Sequence, residues 1–311
     1  MGKIIDEALM AAGARDVMMS AGHKSVGDET LAKKVLPANG SAEPIEAGNP
    51  TWENLTPLVW RNAIYSEKAA GTAMAQLFEQ QVALFKDIFD EKRQAYDQCA
   101  IVEVGMGTAE LFSKITGNVD TLVGVELSQP MIDLAFELHG ELKELSGSKV
   151  HLVQGNAVEL CDVIERSVYP KEHAFWSEKT LRLSCMCMNT FGILPGDALK
   201  DAALRQMFLC AGAGGLVIVG CWHSESLPQG YKEFYRHHPE LCGPCSEKDF
   251  DYEKGNFRSE TGYESHWWSK EELETIVKRN FPWALEGLRL RFEVRGLGIF
   301  AICEIVQTVS C

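Results

Sequence analysis

The sequence predicts an α/β protein built on a doubly wound, mostly parallel sheet. Short apolar runs of strand length alternate with helix-like segments between residues 98 and 221, which is the order that parallel strands joined by crossover helices require. The first run, residues 100–104, ends in Gly105 and Gly107, and helix-forming residues follow. A glycine turn between a buried strand and a helix is typical of the ligand-binding edge of such a sheet. The other strand candidates are residues 121–125, 150–153, the stretch that opens at 183, and 215–221.

The flanking segments predict a cap and a lid around this core. We interpret residues 1–97 as an N-terminal extension and helical cap, and residues 98–311 as the core, with 222–268 as a lid over the substrate. Residues 1–50 are weakly patterned. Residues 66–97 predict one long helix, with Ser66 as its N-cap. The apolar residues of that helix fall on one face: Met74, Leu77, Phe78, Val82, Phe85 and Phe89.

The segment 222–268 shows no strand-and-helix rhythm but holds much of the aromatic and histidine content, so we expect an irregular lid there. A helix over residues 269–277 follows it. Two strand-like segments, 287–294 and 298–306, then complete the chain.

Acidic residues beside the glycine turn indicate the kind of ligand. Glu126 ends the second strand, 21 residues after Gly105, where a carboxylate can accept hydrogen bonds from both hydroxyls of a ribose. Glu103, two residues before the first glycine, favours a ligand with a cationic end. The third glycine of the dinucleotide fingerprint is replaced by Glu110, which argues against NAD or FAD and against a nucleotide-dependent oxidoreductase.

These residues resemble the motifs of a known family. Glu103, Gly105 and Gly107, followed by Glu126, are similar to the first two motifs of class I S-adenosylmethionine-dependent methyltransferases. Residues 154–157 stand where that family usually carries Gly-Asp-Ala, and Asn156 keeps the acceptor oxygen of the aspartate without its charge. Residues 183–195 resemble the fourth strand and the loop that faces the methyl group.

The resemblance implies a seven-stranded sheet that ends in a reversed hairpin, with S-adenosylmethionine as the cofactor. It also implies which residues contact that cofactor. They lie in the glycine turn and at the next three strand ends: Glu103, Gly105, Gly107, Glu126, Leu127, Asn156, Ala157, Met188 and Asn189.

The charge balance limits the partners. With 30 basic and 44 acidic residues the net charge is −14, and no basic face of the kind that binds nucleic acid is evident. No apolar run approaches the length of a membrane span, and we see no secretory signal or myristoylation site. The ten cysteines are scattered, and several lie in predicted strands, so we expect free thiols in a cytoplasmic protein. We expect a small-molecule substrate, with no nucleic-acid or membrane partner, and either a monomer or a homodimer.

The acceptor site is expected to come from the cap and the lid, because the sheet motifs describe only the cofactor. Aromatic rings suit a site where positive charge develops on the acceptor, and a guanidinium suits a substrate carboxylate. The substrate-binding candidates are Trp60, Arg61, Tyr65, Trp222, Arg258, Tyr263 and Trp267. If the acceptor is a protonated amine, Tyr65, His223 or His266 is the candidate base.

The lid also contains a C-x-x-C sequence, Cys242 to Cys245, after His237 and His238. A structural turn is the favoured interpretation. Zinc binding and disulfide exchange remain alternatives, but one such pair without a second is a modest pattern. We expect no metal.

The predicted function is methyl transfer from S-adenosylmethionine to a thioether or amine of a small amino-acid-like metabolite. O-methylation of a carboxylate or hydroxyl and protein methylation are the alternatives within the enzyme class. A non-catalytic regulator that binds the cofactor or zinc is the alternative outside it.

Overall fold

A seven-stranded sheet forms the centre of the protein, as seen in a computed structural model that describes residues 64–65 and 71–306. Its strand order is β3-β2-β1-β4-β5-β10-β9, and a separate three-stranded sheet has the order β6-β7-β8. The strands are β1 (Gln98–Val104), β2 (Thr121–Glu126), β3 (Val150–Gln154), β4 (Thr180–Met186), β5 (Leu216–Trp222), β6 (Phe250–Asp251), β7 (Asn256–Arg258), β8 (Glu264–His266), β9 (Leu288–Arg295) and β10 (Gly298–Ile305).

The first five strands are parallel, whereas β10 runs antiparallel to both β5 and β9. The doubly wound sheet and its terminal reversed hairpin are therefore confirmed. The strand order reverses between β1 and β4, and ligands in folds of this type bind at the carboxyl ends of the strands near such a switch point.

Helices cover both faces of the sheet. The helices of the described chain are α1 (Ala73–Lys92), α2 (Glu110–Ile115), α3 (Gln129–Leu138), α4 (Gly140–Glu144), α5 (Leu160–Ser167), α6 (Thr190–Ile193), α7 (Gly196–Ala211), α8 (Leu227–Glu233), α9 (Pro239–Cys242) and α10 (Lys270–Asn280).

Two apolar clusters hold these layers together, and strand alternation divides the residues between them. In β1, Ile101 packs into the cluster that contains α1, α2 and α3. Its neighbours Ala100 and Val102 pack into the cluster that contains α5, α7 and α10. Because successive side chains of a strand point to opposite faces, an almost uninterrupted apolar strand is buried on both sides.

The long first helix begins later than predicted. Its N-cap is Thr72, whose hydroxyl accepts a hydrogen bond from the Ala75 N–H at 3.3 Å, and not Ser66. The predicted apolar face is buried except at Val82, which is only partly covered. The helix over residues 269–277 is confirmed as α10, which extends to Asn280 and begins at a capping box formed by Ser269 and Glu272.

The segment 222–268, which we call the lid, carries more regular structure than its sequence pattern indicates. Helices α8 and α9 and the small sheet β6-β7-β8 pack around buried aromatic rings. The Trp267 indole N–H donates to the Tyr235 hydroxyl at 2.9 Å, and the rings of Trp222 and Trp267 lie 5.0 Å apart.

The described residues belong to one unit, Asn49–Cys311. Within that part of the chain, no helix combines the length and apolar character that a bilayer crossing needs. The proposed division into cap, core and lid stays a prediction.

Candidate functional site

The glycine loop that follows β1 turns sharply and leaves room beside its backbone. Gly105 and Gly107 have φ values of +67° and +57°, in the left-handed region that favours glycine. A Cβ on Gly105 would lie 2.5 Å from the Thr190 methyl carbon, whereas a Cβ on Gly107 would meet nothing within 4 Å. The backbone at Gly107 is therefore open to a ligand. Helix α2 starts only at Glu110, after a left-handed Ala109, so the loop is longer than the sequence indicates.

Glu103 places a buried carboxyl group beside this loop. The residue is 5% exposed, and its Oε2 has no hydrogen-bond partner among the described residues. Burial, and secondly the charge of Glu126, raise the pKa of Glu103 to about 8. A buried carboxylate without partners is costly, and a cationic ligand would compensate its charge.

Glu126 ends β2, the strand that pairs with β1. Its two carboxylate oxygens accept backbone N–H groups, from Gly107 at 2.9 Å and from Ser128 at 3.0 Å. Burial raises the pKa of Glu126, and these two N–H groups oppose that rise. The carboxylate is thus held in one orientation against the glycine loop.

The next strand ends supply the residues expected near the adenine. The Asn156 side chain accepts a hydrogen bond from the Val158 N–H at 3.2 Å and so caps the short turn after β3. Leu127 is 42% exposed, and it lines one open cleft together with Asn156 and Ala157. Adenine binding at these residues stays a prediction.

The loop after β4 contains two non-glycine residues in the left-handed region, Met188 (φ +49°) and Asn189 (φ +64°). Both are buried. The Asn189 amide accepts from the Trp222 N–H at 3.1 Å and donates to the Ser265 hydroxyl at 3.0 Å. It therefore ties the β4 loop to the end of β5 and to the lid, a role that its position in the sequence did not indicate.

A cleft of about 1090 Å³ extends from the loops after β2 and β3 to the lid, and neither the glycine loop nor Met188 and Asn189 line it. Its walls include residues after β2 and β3, the segment from α6 into α7, lid strands β7 and β8, and α10. Helix α6 packs on β8 of the lid, and α7 packs on the turn after β3. The α6–α7 segment therefore connects the lid end of the cleft with the end at β3. The size and the position at the strand ends are those of a small-molecule site.

The predicted substrate-binding residues and candidate bases fall into four groups. Tyr263, Arg258 and His266 line the cleft. The Arg258 side chain is 75% exposed and pairs with Glu264 at 3.0 Å. Trp222 and Trp267 are fully buried within the lid packing and do not line the cleft.

Tyr65 lies apart from the cleft, with its ring 4.8 Å from Phe78, and Trp60 and Arg61 fall outside the described residues. His223 also does not line the cleft; its backbone pairs with Trp268.

Two of the candidate bases have shifted pKa values. Burial, followed by the charges of Glu110 and Glu103, raises the pKa of Tyr65 well above its ordinary value, so this hydroxyl stays protonated. Burial lowers the pKa of His266, so its ring is neutral at neutral pH. The His266 Nδ1 hydrogen-bonds Asn256 Oδ1 at 2.7 Å, and its Nε2 lies 3.4 Å from Glu272 Oε1.

The cysteines of the described ranges are all free thiols. Burial and the neighbouring Cys245 raise the pKa of Cys242, which is the opposite of an activated redox thiol. Within residues 64–65 and 71–306, no cluster of three or more His, Cys, Asp or Glu side chains could hold a metal ion.

Comparison with known proteins gives structural matches alone. No protein-family model matches the sequence, and no curated protein matches it. A Methanococcus maripaludis protein with a provisional assignment as an S-adenosylmethionine-dependent methyltransferase is 12% identical, covers 88% of this chain and 100% of its own, and has a TM-score of 0.50.

Two further solved structures are similar at lower TM-scores. Magnesium protoporphyrin IX methyltransferase from Synechocystis PCC 6803, with S-adenosylmethionine bound, is 9% identical over 79% of this chain and 89% of its own, at 0.48. An S-adenosylmethionine-dependent methyltransferase from Clostridium acetobutylicum is 12% identical over 72% and 92%, at 0.46.

The chain has the class I methyltransferase fold. The seven strands and the reversed hairpin agree with the resemblance noted in the sequence, and the likeness to the Methanococcus maripaludis protein extends over all of that protein. At this level of identity the likeness shows the fold alone. The chemistry depends on the residues of the site.

The cleft residues that the sequence analysis did not predict include Lys200 and Trp268. Both are buried. The sequence did contain a pattern that could have found Lys200. It occupies the apolar face of α7 with Ala203, Leu204 and Met207, at three- and four-residue spacing, where a charged side chain is unexpected.

Proposed function

We propose that the protein is an S-adenosylmethionine-dependent methyltransferase that acts on a small amino-acid-like metabolite, at a thioether sulfur or an amine nitrogen. The observation that carries this proposal is the pair of carboxyl groups, Glu103 and Glu126, that flank the glycine loop at the ends of paired strands. Glu103 suits the cationic amino acid end of the ligand, and Glu126 suits the ribose.

The residues present fit this cofactor on two structural grounds. Glu103 Oε2 is a buried acceptor without a donor among the described residues, and the open space at Gly107 lets a ligand approach the backbone closely. Leu127, Asn156 and Ala157 would then contact the adenine, and Met188 and Asn189 would lie toward the methyl group.

When bound, S-adenosylmethionine supplies a methyl group already activated by its sulfonium sulfur. The protein therefore has mainly to align the acceptor and exclude water. For an amine acceptor, the neutral His266 ring in the cleft wall can take up a proton. A thioether acceptor needs no base.

The acceptor class is argued from size and charge. The cleft has room for a small molecule beside a nucleoside, and the net charge of −14 disfavours nucleic acid. The Tyr263 ring in the cleft wall can face a developing positive charge.

The test is transfer of a labelled methyl group from S-adenosylmethionine to a panel of amino acids, thioethers, amines and hydroxy acids, with product masses and cofactor affinity measured in parallel. Methyl transfer to one thioether or amine class is the expected result. Transfer only to hydroxyl or carboxylate oxygens would contradict the acceptor class. Cofactor binding without transfer to any compound would support the non-catalytic alternative, and no cofactor binding would refute the proposal.

A further inference from the structure

Lys200 is a buried cation whose charge is not neutralised by an ion pair. The side chain is 9% exposed and lines the cleft, and it forms no hydrogen bond or ion pair with any described residue. Its ammonium lies 5.9 Å from the centre of the Trp268 ring, within the range of a cation–π contact. Covering most of a lysine side chain without an ion-pair partner is unfavourable, so a residue of this kind is typical of a binding site.

The other two cations of the cleft wall are already paired. Arg258 contacts Glu264 at 3.0 Å, and Arg279 contacts Asp201 at 2.6 Å. Of the described lining residues, Lys200 is therefore the cation that is available to a negative ligand.

The start of α7 adds backbone donors to this position. The N-cap residue is Pro195, which makes no side-chain cap, and Leu194 to Asp197 line the cleft. The first turn of a sixteen-residue helix, whose N–H groups have no intrahelical acceptor, thus lines the same cleft as Lys200. Helical side chains lean toward the helix N-terminus, which brings the Lys200 ammonium toward this turn.

Neighbouring acids limit the charge that the site can accept. The Asp197, Glu264 and Asp201 carboxylates act on Lys200, and Glu271 and Glu272 also line the cleft. A dianion such as phosphate would meet more repulsion there than a single carboxylate. The remaining wall is partly apolar and includes Ile193, Leu199 and Ile276, so the ligand body should be apolar.

We propose that Lys200 and the first turn of α7 anchor one carboxylate of the methyl acceptor, which is therefore a monocarboxylate with an apolar body. The identification of this carboxylate ligand as the methyl acceptor rests on the proposed function. The anion site itself stands on Lys200 and α7 alone.

The experiment compares binding of 3-phenylpropionate with binding of its neutral amide, by calorimetry, in wild type and in Lys200→Met. In wild type the acid should bind roughly tenfold or more tightly than the amide, since charge-assisted contacts exceed neutral ones. Lys200→Met should bind both equally weakly. The matched control is Lys232→Met, an exposed lysine on α8 outside the cleft, which should behave as wild type.

Folding and site occupancy are checked separately. Met is close to Lys in shape and removes an unpaired buried charge, so Lys200→Met should melt no lower than wild type. In wild type, 3-phenylpropionate should protect the Lys200 amine from reductive methylation. Equal binding of acid and amide, no protection, or an unchanged preference in Lys200→Met would overturn the proposal. Tighter binding of inorganic phosphate than of 3-phenylpropionate would overturn the monocarboxylate.

The cofactor readout separates this proposal from the proposed function. S-adenosylmethionine affinity should be the same in wild type and Lys200→Met, because the Lys200 ammonium lies beside Trp268 of the lid and forms no hydrogen bond or ion pair with the residues assigned to the cofactor. If Lys200→Met weakens the cofactor as much as the acid, Lys200 serves the cofactor and the acceptor assignment is wrong. If the carboxylate preference holds but no cofactor binds, the proposed function fails while the anion site remains.

Discussion

If Glu103 binds the cationic end of the cofactor as proposed, cofactor affinity should depend on pH in a defined direction. In the free protein the pKa of Glu103 is about 8, because burial and the charge of Glu126 disfavour the carboxylate. A cationic ligand needs that carboxylate ionised. Below pH 8 the ionisation costs about 1.4 kcal/mol per pH unit, so affinity should rise tenfold per unit as the pH increases.

The expected change is roughly 30-fold between about pH 6 and pH 7.5, a range in which an α-amino group stays mostly charged. Calorimetric titration of S-adenosylmethionine into wild type measures it. Glu103→Gln should give a flat profile close to the wild-type value at the acidic end. Adenosine, which lacks the cationic end, should bind wild type equally at both pH values. An equal slope in Glu103→Gln, or a pH-dependent adenosine affinity, would refute the reasoning.

The same pKa has a consequence for folding. Because the folded-state pKa of Glu103 lies above the ordinary 4.5, the folded state binds more protons between these values, and stability falls as the pH rises from 4.5 to 8. The full difference corresponds to about 5 kcal/mol, an upper limit for the gain of Glu103→Gln above pH 8. Chemical denaturation of both proteins across this range measures it.

Three further substitutions test individual contacts. Glu126→Ala should weaken S-adenosylmethionine and adenosine binding by roughly tenfold or more, because it removes the ribose acceptor and frees the Gly107 N–H. Unchanged affinity for both ligands would contradict the ribose contact. Gly105→Ala should lower the free energy of unfolding by about 1–3 kcal/mol, because the new Cβ would meet the Thr190 methyl carbon at a positive φ. Thr190→Ser, which lacks that methyl, should recover part of this loss in urea denaturation, and no recovery would argue against the clash. Asn189→Ala should lower the free energy of unfolding by about 2–4 kcal/mol, because the buried backbone N–H of Trp222 loses its acceptor and the Ser265 hydroxyl its donor. The control Ser265→Ala should lower it by less. Equal losses would show that the hydrogen bond to Trp222 contributes little.

The sheet could be predicted because its determinants are local. Each parallel strand is an apolar run of the correct length, and the glycines mark the turn at the end of β1 whatever lies around them. The boundaries of α1 and α2 could not be predicted as well. Thr72 and Ser66 are both acceptable N-caps, and the choice depends on packing against the sheet.

The cleft was harder to predict because it depends on contacts between distant segments. Trp267 and Trp268 are neighbours of the same type, yet the first packs inside the lid and the second lines the cleft. Nothing local distinguishes them, since the ring that faces inward depends on how β8 pairs with β7 and how the Trp268 backbone pairs with the end of β5. Asn189 likewise looks like an ordinary turn residue until β5 and the lid are placed beside it.

The four residues of α6 touch both parts of the proposed site. Thr190 lies against Gly105 of the glycine loop, with its hydroxyl 3.5 Å from the Gly105 carbonyl oxygen. Gly192 leaves no room for a Cβ, which would lie 2.4 Å from the His266 carbonyl oxygen in the lid. A movement of the glycine loop would therefore be transmitted to the acceptor side through one rigid turn. If the protein transfers methyl groups as proposed, this connection predicts that cofactor binding changes the affinity for the acceptor, and that the acceptor changes the affinity for the cofactor by the same factor.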